Sequence, residues 1–211
     1  MTLYLPPHFR VEDHAKLVDF MRGHAFATLV CTGAAGLHVS HVPLLVDVDG
    51  DALRLRGHVA RGNAQWEALE GATHVAAIFH GPHAYVSPTW YATHPSVPTW
   101  NYAVVHAHGR ARLTDEAELH EIVSELSSKY EAANRPPWKL SEQPAAYVSS
   151  MLGMIVGFEI EVERVEGKFK LSQNRPVEIP RVIERLEASG EAELASLMRE
   201  HAPAAKGKIT A

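Results

Sequence analysis

Apolar positions repeat along this chain with two different periods. Over residues 11–24 the spacing is helical, with Leu17, Val18, Phe20 and Met21 apolar and Glu12, Asp13 and Lys16 polar. Residues 26–32 form an apolar run of strand length, closed by Gly33-Ala34-Ala35-Gly36. Two alternating segments follow, residues 37–48 and 52–59. The Asp49-Gly50 pair between them is a strong signal for a tight hairpin. Residues 63–70 predict a short helix with Asn63 as its cap. Strands are predicted at residues 74–79 and 84–87. A loop with Pro88, Pro95 and Pro98 then leads into a strand over residues 100–113. Thr114 is placed as the cap of the clearest helix, residues 115–130, whose first turn is acidic, as the helix dipole favours. Pro136 and Pro137 end that region. A short helix is predicted at 145–152, a half-buried strand at 155–163, and two helical segments from Pro180 on, split by Ser189-Gly190.

Many strands broken by a few helices predict a mainly β fold with peripheral helices, the strands closed or sandwiched around a core. The 211 residues suffice for one large domain, or one domain with an appendage. A formal charge of -5 supplies no basic field for nucleic acid. The single cysteine, Cys31, lies in an apolar run and reads as a buried small hydrophobe. It can form no internal disulfide, which points to a reducing cytoplasm. Pro6 and Pro7 interrupt the start of the chain, and no apolar run reaches membrane-spanning length.

Residues 80–109 carry the richest chemistry. Tyr85, Trp90, Tyr91, Trp100 and Tyr102 alternate there with Pro, Ser, Thr, Asn and His. Aromatic walls with a few placed polar groups suit a flat, partly polar ligand; they also serve an aromatic β core with proline-rich turns. Over residues 53–66, strand geometry puts Arg54, Arg56 and His58 on one face, opposite Leu53, Leu55 and Val59. Arg61 and Asn63 follow in a loop entering a helix N-terminus, an arrangement that suits a phosphate. The alternative is a solvated basic strand face beside a capped helix. Phosphate fingerprints of P-loops and dinucleotide folds are absent.

Fourteen histidines include His106 and His108 on one strand face and His80 and His83 around a Gly-Pro turn. No Cys ligand pattern or H-E-x-x-H accompanies them, so no metal site is expected. The acidic residues 47–51 suit a hairpin turn better than a calcium loop. In residues 167–175, Lys168 and Lys170 share a face if the segment is extended, and Gln173 and Asn174 follow. Such donors suit a carbonyl-rich, electron-accepting ring; the other reading is an exposed basic connection. The tail has a superficial helix–turn–helix outline, but Glu191, Glu193 and Glu200 give its second helix the wrong sign for facing phosphates. Its Leu, Ala and Met positions suit packing, including against a partner subunit.

Five segments, in order and spread over essentially the whole chain, carry a resemblance. They are Y-L-P-P-H-F (residues 4–9), G-H-V-A-R-G-N-A-Q-W (57–66), G-P-H-A-Y-V-S-P-T-W-Y (81–91), V-P-T-W-N-Y (97–102) and K-L-S-Q-N-R (170–175). Together they resemble the PaiB-type FMN-binding negative transcriptional regulators. Where relatives often have A-N-P-Q-W, this chain has G-N-A-Q-W, so Gly62 and Ala64 loosen that loop without removing a side-chain ligand. The resemblance implies an FMN-binding split β-barrel, related in fold to pyridoxamine-phosphate oxidases and flavin reductases, spanning residues 1–176. A helical tail, residues 177–211, would pack on the barrel or on a dimer partner. It also implies a homodimer with FMN at the subunit interface. His58, Arg61 and Asn63 become candidates for the FMN phosphate, with Arg56 assisting. Thr99, Trp100 and Asn101 would border the flavin, and Lys170 and Gln173 would reach its ring carbonyls. Three functions are compatible with it: a flavin- or redox-linked regulator acting through a partner, a flavin-dependent oxidoreductase with a nicotinamide reductant, and a haem-handling split-barrel protein with histidine ligands. Net charge and the acidic tail argue against direct DNA reading.

Overall fold

Strand β5 (Ala52–Ala60) shows how the sequence pattern becomes structure. Leu53, Leu55, Gly57 and Val59 are buried, and Arg54, Arg56 and His58 fall half-buried on the other side. The computed structural model of the protein describes residues 3–202. Antiparallel partners flank β5. One is β4 (Leu45–Asp49), in register Leu45 to Arg56; the other is the first part of β8 (Ile155–Lys170), in register Arg54 to Glu161. Gly50, at φ +59°, makes the two-residue β4–β5 turn that a side chain would strain. The full strand order is β3-β2-β6-β7-β8-β5-β4, with β2 at Phe26–Gly33, β3 at Gly36–Pro43, β6 at Val75–Val86 and β7 at Thr99–Leu113; β1 (Arg10–Val11) pairs with β8.

The chain divides into two compact units. Residues 14–79 and 105–165 form the first. Its helix α1 (His14–Gly23) buries Leu17, Val18, Phe20 and Met21, the stripe its spacing predicts. Helix α3 (Glu116–Glu131) buries Leu119, Ile122 and Leu126, and the last two cluster with Leu45. A Cβ at Gly157 would strike the Thr114 side chain and Leu119, so only glycine lets β8 pass the start of α3 so closely. Cys31 is buried, and burial pushes its thiol pKa up. Residues 3–13, 80–104 and 166–202 form the second unit. Helices α5 (Ile179–Ala188) and α6 (Ala192–Glu200) pack on each other there and bury Ile179, Val182, Leu186, Leu194 and Met198. The expected tail, residues 177–211, therefore is helical as far as it is described; residues 203–211 lie outside the described residues.

Several boundaries differ from the sequence reading for identifiable reasons. The segment 37–48 is two strands, because Leu44 turns inward, fully buried, and its amide donates to the Ala25 carbonyl (2.9 Å). Residues 74–79 and 84–87 belong to one strand, β6, which runs through Gly81-Pro82; the φ of proline suits extended backbone, and only one donor is lost. The cap of α3 is Asp115 rather than Thr114. Asp115 accepts from the Glu118 amide (2.8 Å) and Glu118 accepts from the Asp115 amide (3.0 Å), closing a capping box. The helix after Asn63 is only Gln65–Leu69 (α2). Val11, expected to open the first helix, instead joins Arg10 in β1, and β8 continues to Lys170, so residues 167–170 are strand and not a connection. A further helix, α4 (Ala145–Leu152), stands where its pattern placed it. Among the described residues no helix is long and apolar enough to cross a membrane.

Arg112 grips Glu118 with two hydrogen bonds (2.7 and 2.9 Å) and also meets Glu159 (3.1 Å). The Arg112 contact, then the Asp115 amide, lowers the Glu118 pKa to about 2 from an ordinary 4.5. A depressed carboxylate stabilises the fold above its ordinary pKa and loses that contribution as pH falls toward the folded value. Glu118→Gln is therefore expected to lower stability at pH 7, with the deficit narrowing between pH 4.5 and about 2. Chemical denaturation across that range checks it; a deficit independent of pH contradicts the assignment.

Candidate functional site

In the first unit, the four expected phosphate ligands sit on β5 and the loop after it, in quite different states. Arg56 is already paired. Its Nε donates to Asp47 (2.6 Å) and its two Nη atoms to Glu125 of α3 (3.2 and 2.8 Å), so its charge is neutralised twice. Those partners, Asp47 first, raise its pKa. Arg61 is the opposite case. It is exposed, and its Nε and Nη2 donate to the carbonyls of Gly153 (2.9 Å) and Ile155 (3.2 Å), at the end of α4. Carbonyls orient a guanidinium without cancelling its charge, so Arg61 keeps a full positive charge at the surface.

Asn63 builds the loop. Its Oδ1 accepts from the Gln65 amide (3.0 Å) and its Nδ2 donates to the Ser40 hydroxyl (2.8 Å). Trp66 adds an indole N–H to the Arg61 carbonyl (3.0 Å). The motif R-G-N-A-Q-W thus holds itself in shape, and Gln65, buried, ties it to the Leu29 carbonyl (3.2 Å). His58 is half-buried; burial lowers its pKa, and its Nδ1 is buried without a hydrogen-bond partner. Of the four, Arg61 is the one that presents a positively charged group at the surface, whereas the His58 nitrogen is enclosed. An open cleft of ≈ 790 Å³ between the β2–β3 turn and α2 takes in His38, Glu67 and His74 but none of these four residues.

In the second unit the V-P-T-W-N-Y motif lies on β7, and alternation splits it. Trp100 is 54% exposed, whereas Asn101 is fully buried, its Nδ2 donating to the Ser172 hydroxyl (2.9 Å) and meeting the Met198 sulfur of α6 (3.5 Å). Lys170 donates to the Thr99 hydroxyl and to the Trp100 carbonyl (2.6 Å). Gln173 turns back on its own chain: its Oε1 accepts from the Leu171 amide (2.7 Å) and its Nε2 donates to the Phe169 carbonyl (2.6 Å). Thr99, Trp100 and Lys170 are therefore brought together, with Trp100 accessible, while the Asn101 side chain serves the interior and half-buried Gln173 braces its own backbone.

Sequence reasoning missed the groups that fix this arrangement. Glu178 is buried, and its two oxygens accept from the amides of Ala92 (2.8 Å) and Thr93 (3.0 Å), which hold its pKa below the ordinary carboxylate value, the Ala92 amide first. Arg175 donates to the Ser96 hydroxyl (2.8 Å) and lies 5.0 Å from the Tyr91 ring centroid. Together they pin the proline-rich loop that leads into Thr99. No local pattern announces them, because their partners lie about eighty residues away in sequence.

Comparison with known proteins gives this geometry a lineage. Residues 3–164 match the family described as "Putative FMN-binding domain". The chain belongs to this FMN-binding family. Among curated relatives, the protease synthase and sporulation protein PAI 2 of Bacillus subtilis is 36% identical over 186 residues, covering 88% of this chain and 89% of that protein. Two solved structures share the fold, each with a TM-score of 0.58. One is the flavocytochrome Anf3 of Azotobacter vinelandii, at 15% identity and covering 76% of this chain and 69% of its own. The other is the FAD and haem binding protein of Mycobacterium smegmatis, at 13% identity and covering 76% and 73%. The family's fold is the split-barrel fold that the five motifs imply.

Replacing the Glu178 carboxylate should loosen the loop it pins. In Glu178→Gln, amide exchange at Ala92 and Thr93 is expected to accelerate roughly tenfold, as loss of a charge-assisted bond predicts. Exchange in α3 should not change. Site-resolved hydrogen exchange reads both, and unaltered protection at Ala92 and Thr93 contradicts the role.

Proposed function

We propose that this protein works as a flavin-linked regulator: a homodimer that holds FMN by its phosphate at Arg61 and passes on the flavin's state through a partner. The observation that carries the FMN reading is the contrast within one motif region. Arg56 is cancelled by two carboxylates, while Arg61 is oriented by two carbonyls and keeps its charge. An exposed guanidinium held in place two residues before the Asn63 turn suits a phosphate monoester. FMN supplies one- and two-electron transfer when bound; the protein's part is to hold and orient it.

A regulatory role is favoured by the Bacillus subtilis relative, whose name refers to protease synthesis and sporulation. Direct reading of DNA is disfavoured by the net charge of -5 and by the exposed face of α6. That face carries Glu193, Glu200 and an Arg199 already paired with Glu187. The second reading, a flavin-dependent oxidoreductase, is favoured by the accessible face around Trp100 and Lys170. The haem reading has the likeness to the two solved structures behind it. The absorption spectrum of the purified protein separates flavin from haem.

Support for the dimer comes from one sheet face of the first unit. The registers Thr32–Leu37, Val30–Val39 and Thr28–His41 align β3 with β2, and Thr28–Ile78 and Val30–Ala76 add β6. Phe26, Leu37 (70% exposed) and Val39 stand open on this face, and none of its residues is Asp, Glu, Lys or Arg. An exposed face without Asp, Glu, Lys or Arg, carrying three large apolar side chains, suits contact with a second copy of the chain.

Two measurements test the proposal. Arg61→Ala is expected to weaken FMN ten- to a hundredfold, from loss of about 1.5–3 kcal/mol of charge-assisted bonding, and riboflavin much less. Equal losses for both ligands, in parallel titrations, would remove Arg61 from the phosphate. Leu37→Asp is expected to shift the sedimentation coefficient from dimer to monomer; an unchanged dimer places the interface elsewhere.

A further inference from the structure

Arg61 owes its orientation to one short stretch of chain in the first unit. Its amide donates to the Met154 carbonyl (2.8 Å), its Nε to the Gly153 carbonyl (2.9 Å) and its Nη2 to the Ile155 carbonyl (3.2 Å). That stretch is the last turn of α4 and the residues after it. The Met154 amide closes it on the Met151 carbonyl (3.0 Å), and the Gly153 amide on the Ser149 carbonyl (3.1 Å). Little else steadies it. Helix α4 has 8 residues, none of them charged, no side-chain cap and only Leu152 buried. A helix of that length is marginal by itself, so the contacts its side chains keep decide whether the turn holds.

Two side chains of this stretch are thioethers open to solvent. Among the described residues, Met21 and Met198 are fully buried, whereas Met151 is 44% and Met154 64% exposed. The two exposed ones bracket Gly153, and neither belongs to the sheet face assigned above to the dimer. Met151 still has more than half of its surface covered, which is apolar contact for a helix that has little. A sulfoxide in its place is polar and chiral, and favours leaving that cover for water.

We propose that Met151 and Met154 are an oxidative modification site that loosens the hold on Arg61. The oxidant is a peroxide, in its simplest form hydrogen peroxide. A sulfur lone pair attacks one peroxide oxygen. The S–O bond forms as the O–O bond breaks, the sulfur loses two electrons, and the second oxygen leaves as water with both protons. The polar sulfoxides draw the turn apart, and the carbonyls that hold Arg61 lose their alignment. Reduction of the sulfoxides reverses the change. The consequence for FMN rests on Arg61 holding the phosphate; the modification and its effect on the turn do not.

The test treats the full-length protein with hydrogen peroxide and follows oxygen uptake at each methionine by peptide mass spectrometry. Met151 and Met154 are expected to be oxidised at least roughly tenfold faster than Met21 and Met198. In the oxidised protein, exchange of the Arg61 amide should accelerate about threefold or more, and FMN should bind roughly three- to tenfold more weakly. Treatment with methionine sulfoxide reductases should restore both values. The double variant Met151→Leu, Met154→Leu keeps apolar contact without a sulfur, and peroxide should change neither value in it. Oxidation that leaves Arg61 exchange unaltered overturns the proposal. So does equally fast oxidation of Met21 and Met198, or a double variant that responds to peroxide as the original chain does. If FMN fails to bind before any peroxide is added, the phosphate reading falls, and the Arg61 exchange still decides this one.

Discussion

The register of β5 between β4 and β8 is the constraint on which the rest depends. A strand alternates strictly, so a slip of one residue would place Arg54, Arg56 and His58 in the core and Leu53, Leu55 and Val59 outside. Three devices pin the register. Gly50 sets the two-residue turn, a side chain at Gly57 would crowd Leu44, Phe158 and the Pro43 carbonyl, and Arg56 spans from Asp47 on the neighbouring strand to Glu125 on α3. With β5 fixed, the chain leaves it at Ala60 with Arg61 beside the end of α4, and the Asn63 turn follows.

Charge accounting then separates structural cations from available ones. Four arginines of the first unit are paired with carboxylates: Arg54 with Asp49, Arg56 with Asp47 and Glu125, Arg110 with Glu163, and Arg112 with Glu118 and Glu159. Such pairs are individually weak where they are exposed, and their role is to knit strands to α3 as a network. Carbonyls hold Arg61 instead, as they do Arg22 and Arg135; of these three, Arg61 stands in the motif that the family resemblance assigns to the phosphate. A cation positioned by neutral groups has its geometry settled and its charge left over, which is what recognition of an anion needs.

The helical tail has a comparable effect on the aromatic motif. By taking one side of β7 and β8, α6 converts Asn101 into an interior group and leaves Trp100 facing outward. Glu178 and Arg175, at the entrance to α5, hold the loop before Thr99. The tail is thus part of what shapes the ring-lined surface.

Local rules were enough for much of this. Helical and two-residue periods placed α1, α3, α4 and most strands, because each element buries one stripe or face and the alternation survives in composition. Motif order placed the family, and the family model covers residues 3–164. What the sequence alone left open was decided by contacts between residues far apart in the chain. Whether a basic residue keeps its charge depends on its partners: Arg56 and Arg61 are five positions apart and equally basic in sequence, yet only Arg56 lies within reach of Glu125. Whether Lys168 is a surface connection or a buried cation depends on Tyr4 and Tyr102, and whether Asn101 faces a ligand depends on Ser172 and Met198. Periodicity reports which side of a strand a residue occupies; only the tertiary structure decides what lies on that side.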